Sequence, residues 1–188
     1  MKPVLIACEC SQIECAAWRS AGFEAYSCDI KRCHGSHPEW HFQCDVMELL
    51  VPGRWGLIIA HPPCTYLSAA GARYINEPGR RLLMAEGATF FMRFYNFKDC
   101  PMAIENPRPL HAACLPPYSQ VICPSLFGSS WTKRTCLWLY ELPPLLPTHA
   151  CPVEVRSWTA IHSSKYTRSL GFSELANAYV SQWGKYVI

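Results

Sequence analysis

Residues 57–67 read LIIAHPPCTYL, an apolar run that stops on two adjacent prolines. Proline has no N–H to continue a ladder and it restricts the residue before it. The pattern therefore predicts a buried strand with an abrupt carboxyl end. Cys64 falls just beyond that end. In an open α/β sheet this is the edge where ligands bind, so a polarisable nucleophile stands in a place suited to chemistry.

Other short runs end in the same way. Residues 4–8 are β-rich and give way to Glu9-Cys10-Ser11, and Ile13–Ser20 then predicts a helix with Ser11 as N-cap and Gly22 as its stop. A strand over 24–28 stops at Asp29, a weaker one over 41–44 stops at Asp45, and a short helical piece follows over 46–50. A Gly/Ala/Ser-rich loop spans 68–72. The clearest helix covers about 79–97, with Leu83, Gly87, Phe91 and Phe94 as its apolar stripe. A strand over 102–104 ends in Glu105-Asn106-Pro107. Beyond it, 109–124 is broken by prolines, Thr135–Tyr140 alternates like a strand, and 142–152 is a stiff proline-rich connection. Ser173–Trp183 predicts a final helix with Ser173 as N-cap and a buried stripe of Leu175, Ala176, Tyr179, Val180 and Trp183. The order is that of an α/β fold, a single Rossmann-like doubly wound sheet. Glu9, Asp29, Asp45, Cys64 and Glu105 all fall at strand ends on one edge of it. The acids of the first half suit ribose hydroxyls and a base amino group, while Cys64 and Glu105 face a second ligand.

Size and composition bound the rest. A chain of 188 residues, half of them hydrophobic and 16% charged, has the makings of one compact domain over 1–188 and no large disordered part. Its net charge of +3, from 17 basic and 14 acidic residues, permits a nucleic-acid partner without requiring one. Twelve cysteines would suit a disulfide scaffold only in a secreted chain, and the start, MKPVLIACEC, lacks a signal-peptide layout. The expectation is reduced thiols in the cytoplasm, with Cys8, Cys28 and Cys44 serving as small hydrophobes. No run is long enough for a membrane span. Cys28, Cys33, His34, His37, His41 and Cys44 are zinc-type residues without paired Cys-x2-Cys spacing, so no metal is expected there.

A thiolate and a carboxyl group beside a nucleotide-like cofactor suit one reaction well. Cytosine C5 is a poor nucleophile until a thiolate adds at C6, and a carboxyl group at N3 stabilises that addition. The motifs around both residues carry a resemblance. Pro-Pro-Cys at 62–64 resembles the catalytic Pro-Cys motif of DNA cytosine-5 methyltransferases, and Glu-Asn-Pro at 105–107 resembles their Glu-Asn-Val motif. HPPCTYL, ENP, Phe127-Gly128, KRTCLWL at 133–139, LPPL at 142–145 and ANAYVSQWG at 176–184 together resemble short methyltransferase-like proteins of phages and prophages. The resemblance runs over nearly the whole chain.

It implies a sheet of the class I S-adenosylmethionine-dependent type, with that molecule as cofactor and methyl donor, and the cytosol of a bacterium or phage-infected host as location. It makes Cys64 the C6 nucleophile, Glu105 the N3 partner and Asn106 the brace of the cysteine loop. Lys133 and Arg134 match the basic motif that contacts the base or its phosphate. Cofactor contacts fall on Ala7, Cys8 and Glu9 in the first turn, on Asp29 and Ile30 at the ribose, on Asp45 and Val46 at the adenine, and on His61 and Pro62. The implied partner is DNA, single-stranded or duplex, or a cytosine nucleotide, and exposed aromatics leave a homo-oligomer open.

Two departures are built into the chain. ACECSQ at 7–12 contains no glycine where the family keeps a glycine-rich turn, and 140–173 is too short for a target-recognition domain. Two rival functions fit the same fold. An amino-group methyltransferase acting on N4 of cytosine or N6 of adenine needs an acceptor and a stacking ring where this chain has His61 and Cys64. A non-catalytic module binding DNA or the cofactor needs neither catalytic residue.

Overall fold

A computed structural model describes residues 1–150, 155–162, 164, 167 and 170–188. Its centre is a seven-stranded sheet built from β1 (Val4–Ala7), β2 (Ala25–Asp29), β3 (His41–Gln43), β4 (Leu57–Ala60), β5 (Met102–Asn106), β6 (Gln120–Ile122) and β8 (Thr135–Tyr140). A separate two-stranded pair joins β7 (Trp131–Thr132) to β9 (Arg156–Ser157). The main sheet runs β3-β2-β1-β4-β5-β8-β6. Its first five strands are mutually parallel, and β8 is antiparallel to both β5 and β6.

Strand periodicity explains why both faces are dry. Successive side chains point to opposite faces, so Val4 and Ile6 enter one core while Leu5 and Ala7 enter the other; Leu57 and Ile59 separate from Ile58 and Ala60 in the same way. One face is covered by α1 (Ile13–Ser20) and the C-terminal helix (Ser173–Trp183), which bring Cys15, Trp18, Tyr179 and Trp183. The other is covered by α2 (Arg80–Asn96), which brings Met84, Phe91 and Phe94. Each buried phenylalanine contributes roughly 1.5–3 kcal/mol by leaving water.

The chain fans out in two directions from the gap between β1 and β4. β2 and β3 lie on one side of β1, and β5 lies on the far side of β4. That gap is a topological switch point, where the connections diverge and leave a crevice at the carboxyl ends of the strands. The His61 N–H donates to the Ala7 carbonyl across it at 2.9 Å.

Several expectations need correcting. The helix at 13–20 is present, but its N-cap residue is Gln12, and Ser11 donates its hydroxyl to Glu9 instead. Ser173 is the first helical residue rather than the cap, which is Phe172. In α2 the buried stripe runs through Met84, and Leu83 is exposed. Val180 is only half-buried, and Ala178 takes its place in the core. The loop at 68–72 belongs to a 3-10 helix, Ala69–Tyr74, capped by Ser68. Residues 109–124, read as irregular, contain the edge strand β6. The connection over 142–152 is described only as far as residue 150.

Candidate active site

The first turn after β1 does without glycine but not without its conformation. Cys8 and Gln12 have φ of 62° and 64°, left-handed values that cost an ordinary residue about 1–2 kcal/mol. The Gln12 side chain is held on both ends. Its amide donates to the His37 carbonyl at 2.7 Å and accepts from the His37 N–H at 3.1 Å, fastening the loop after β2. Inside the turn, the Glu9 carboxylate accepts the Glu14 N–H at 2.9 Å and the Cys15 N–H at 3.3 Å. A buried acid thus occupies the amino end of α1, where a carboxylate or phosphate of a ligand would otherwise bind.

Around Glu9 the structure gathers a buried cluster at the switch point. His61, just past β4, places Nε2 3.0 Å from Glu14 Oε2 and Nδ1 3.8 Å from Glu105 Oε2. Glu105 sits on β5 and accepts the Tyr179 hydroxyl at 2.8 Å from the C-terminal helix. Burial and the charge of Glu14 push the Glu9 carboxyl up to about 7, against the helix N–H bonds and His61 that favour its ionised form. Burial by itself would disfavour an imidazolium at His61. The carboxylates of Glu14, Glu105 and Glu9 more than offset it and raise the ring to about 9. Burial and Glu105 hold the Tyr179 phenol well above its ordinary range. At neutral pH the cluster is therefore organised around a protonated histidine between carboxyl groups. Glu14, His61 and Glu105 each bring one oxygen or nitrogen atom within 4.8 Å of the others. Both ring nitrogens of His61 already face carboxylates, so the arrangement reads as an ion triad.

The Pro-Pro-Cys loop lies beside this cluster. Asn106, buried on β5 next to Glu105, donates its side-chain N–H to the Pro62 carbonyl at 2.8 Å. The Cys64 carbonyl accepts from the Leu67 and Ser68 N–H groups at 3.1 and 3.0 Å, closing the turn that follows. Cys64 is half-buried, and no two of the described cysteines are joined by a disulfide.

On the other side of the crevice, Cys8 lies where Asp29, Cys28 and Asp45 act on it, and burial first of all pushes its thiol up. Asp29 accepts the Lys31 N–H at 2.9 Å through Oδ1, and the neighbouring Ile30 is 73% exposed, a large apolar residue open to solvent at a strand end. Asp45 is exposed and caps its own 3-10 turn through the Met47 N–H at 3.0 Å, whereas Val46 turns its side chain into the core. Lys133 is half-buried, with Nζ 3.3 Å from the Leu170 carbonyl, and Arg134 is exposed. In the Cys/His-rich loop, His41 bonds Ser27 and the Lys31 carbonyl, and His37 stacks on Trp40 at 3.6 Å.

Of the residues singled out from sequence, Glu9, His61, Pro62, Glu105 and Asn106 converge on one crevice, with the Cys64 loop tied to it. His61, expected at the cofactor, turns its ring to Glu14 and Glu105. Glu14 and Tyr179 were missed. Glu14 left a signal, an acid on the buried side of a short helix beside Cys15 and Trp18. Tyr179 left another, as the hydroxyl-bearing member of an apolar stripe, since a buried phenol requires a partner. Comparison with protein-family models finds no match, and no curated protein sequence matches the chain.

Proposed function

We propose that the chain transfers a methyl group to C5 of cytosine, in DNA or in a cytosine nucleotide, through a covalent bond between Cys64 and C6. The observation that carries this is the bond from Asn106 to the Pro62 carbonyl. It ties the cysteine loop after β4 to the strand that presents Glu105, so nucleophile loop and acid come from neighbouring strands held in one register. The five parallel strands in doubly wound order, with a reversed strand beyond β5, are compatible with the class I methyltransferase sheet that the motifs imply.

S-adenosylmethionine is the implied donor, and the residue types at the switch point suit one end of it. Asp29 and Asp45 close the neighbouring strands β2 and β3, with exposed Ile30 beside them, and these residues would hold a nucleoside with two hydroxyls and an apolar face. At the other end the amino terminus of α1 is taken by Glu9. An amino acid's carboxylate would therefore be held elsewhere. When bound, the cofactor supplies an electrophilic methyl carbon to the enamine carbon C5.

The chain's own residues do the rest. Cys64 Sγ adds to C6, and the electron pair displaced from the ring collects at N3. Glu105 places a proton there and neutralises it. Asn106 fixes the loop so that the sulfur keeps its approach. Once C5 carries the methyl group, a water molecule from solvent takes the C5 proton. The C–H pair re-forms the C5=C6 double bond, and the C6–S bond breaks with its pair returning to Cys64 as thiolate.

Nucleoside mass spectrometry of the DNA and nucleotide pool of cells expressing the chain tests this. The expected product is 5-methylcytosine with the native chain and none with Cys64→Ser. An N4-methylcytosine or N6-methyladenine product, or 5-methylcytosine that survives Cys64→Ser, would overturn it.

A further inference from the structure

We propose that His61 is the proton reservoir of the reaction: the proton delivered to cytosine N3 is stored on its ring between Glu14 and Glu105 and reaches the base through Glu105. The proposal rests on the methyl-transfer reading above and assigns a positioning role to a residue that the catalytic motifs leave out.

The geometry is asymmetric in a useful way. Glu105 has two oxygens, and Oε2 is held inward by the Tyr179 hydroxyl at 2.8 Å, with His61 Nδ1 at 3.8 Å. Oε1 has no hydrogen bond to any described residue and is the one left to meet a ligand. The other ring nitrogen, Nε2, is bound at 3.0 Å to Glu14, whose side chain is only 4% exposed. Among the described residues, the charged groups that act most on the ring are acids, Glu9 from the turn after β1, Glu14 from α1 and Glu105 from β5, and the Tyr179 phenol acts through Glu105. A buried imidazole in that setting keeps its proton through neutral pH. Glu105 Oε2 accepts from the Tyr179 phenol and faces the His61 ring, so the ring is the proton donor nearest to the acid that meets N3.

The step balances. As Cys64 thiolate forms the S–C6 bond, the displaced pair ends on N3. One proton leaves His61 Nδ1 for Glu105, and one leaves Glu105 for N3. The imidazolium becomes neutral as the thiolate charge is consumed, and the proton returns along the same route when the C6–S bond breaks. The 3.8 Å gap from Nδ1 to Oε2 is longer than a hydrogen bond, as proton-transfer distances often are before a ligand closes them.

The test follows the rate of covalent adduct formation with a 5-fluorocytosine oligonucleotide plus S-adenosylmethionine against pH, in the native chain and in His61→Gln and Glu14→Gln. In the native chain the rate is expected to fall tenfold per pH unit above about 9. Glu14→Gln, which keeps the shape of the triad, moves that fall to lower pH. His61→Gln removes it and slows the reaction on the order of 100-fold. Titration of the ¹⁵N-labelled His61 ring supplies a readout independent of turnover and of how the variants fold, with a midpoint expected near 9. A His61→Gln rate within twofold of native with the same alkaline fall, or a ring midpoint below 7, overturns the proposal. No native adduct at any pH overturns the methyl-transfer reading and this proposal with it, and the ring titration tells that failure apart from failure of the triad.

Discussion

Residues at the switch point set how stability responds to pH. His61 is raised from 6.5 to about 9 in the folded chain. Its contribution is therefore fully present below pH 6.5 and is lost as pH rises through about 9. Urea unfolding of the native chain should lose on the order of 3 kcal/mol across that window, and His61→Gln should flatten the curve there. An unchanged slope would contradict a buried imidazolium. Glu9, also raised, acts in a lower window: its contribution is present below pH 4.5 and lost as pH rises through about 7. Asn106 matters for packing because its amide N–H satisfies a proline carbonyl inside the core. Asn106→Ala leaves that carbonyl without a donor and should cost about 1–3 kcal/mol in urea. A midpoint shift equivalent to less than about 0.5 kcal/mol would show that the Pro-Pro turn stands without its brace.

At the level of elements, the C-terminal helix matters through one hydroxyl as well as through its apolar stripe. Tyr179 stacks on Trp183 with ring centroids 4.8 Å apart and planes inclined by 4°. Tyr179→Phe keeps that stack but frees Glu105, so the fold should survive with a loss of about 1 kcal/mol while adduct formation slows about tenfold. Unchanged kinetics would make Tyr179 a core residue only. The ends of the chain meet at Gly56, where a Cβ would stand 2.6 Å from the Ile188 carbonyl oxygen and 2.7 Å from that of Lys2. Neither backbone oxygen yields easily, so Gly56→Ala should destabilise by about 1–3 kcal/mol, and a native urea midpoint would contradict that packing. The same elements show what the sequence makes legible. Leu57–Ala60, Ile13–Ser20, Thr135–Tyr140 and Ser173–Trp183 have the bounds that apolar period and breakers predict. β6 was hidden because an edge strand of three residues, paired on one side only, carries little alternation. The cap of α1 was misplaced because Glu9, from beyond Ser11, reaches the helix N–H groups first.

For the whole molecule, doubly wound order carries the site: it sets the ends of β1, β4 and β5 side by side, so residues far apart in sequence share one crevice. Glu9, His61 and Glu105 were visible as strand-end residues, but their partners were not. Periodicity places residues on faces and does not say which polar atoms will meet across a sheet. Under the proposed methyl transfer, the length of chain between the basic motif and the final helix bears on the substrate. Extruding a base from a duplex costs a few kcal/mol, and residues 140–173 leave little chain to recover it. Single-stranded oligonucleotide should therefore react at least tenfold faster than the same sequence in duplex, measured by gel-shifted adduct over time, and a duplex preference would point to a wedge or a second subunit. No described helix is long and apolar enough to cross a membrane. The bond from Cys64 to C6 is read out by intact-protein mass spectrometry. After incubation with S-adenosylmethionine and a single-stranded 5-fluorocytosine oligonucleotide, the native chain should gain the mass of the oligonucleotide plus one methyl group on the peptide containing Cys64, and Cys64→Ser should gain nothing. A native chain that gains no mass, or an adduct mapped to another cysteine, would contradict it.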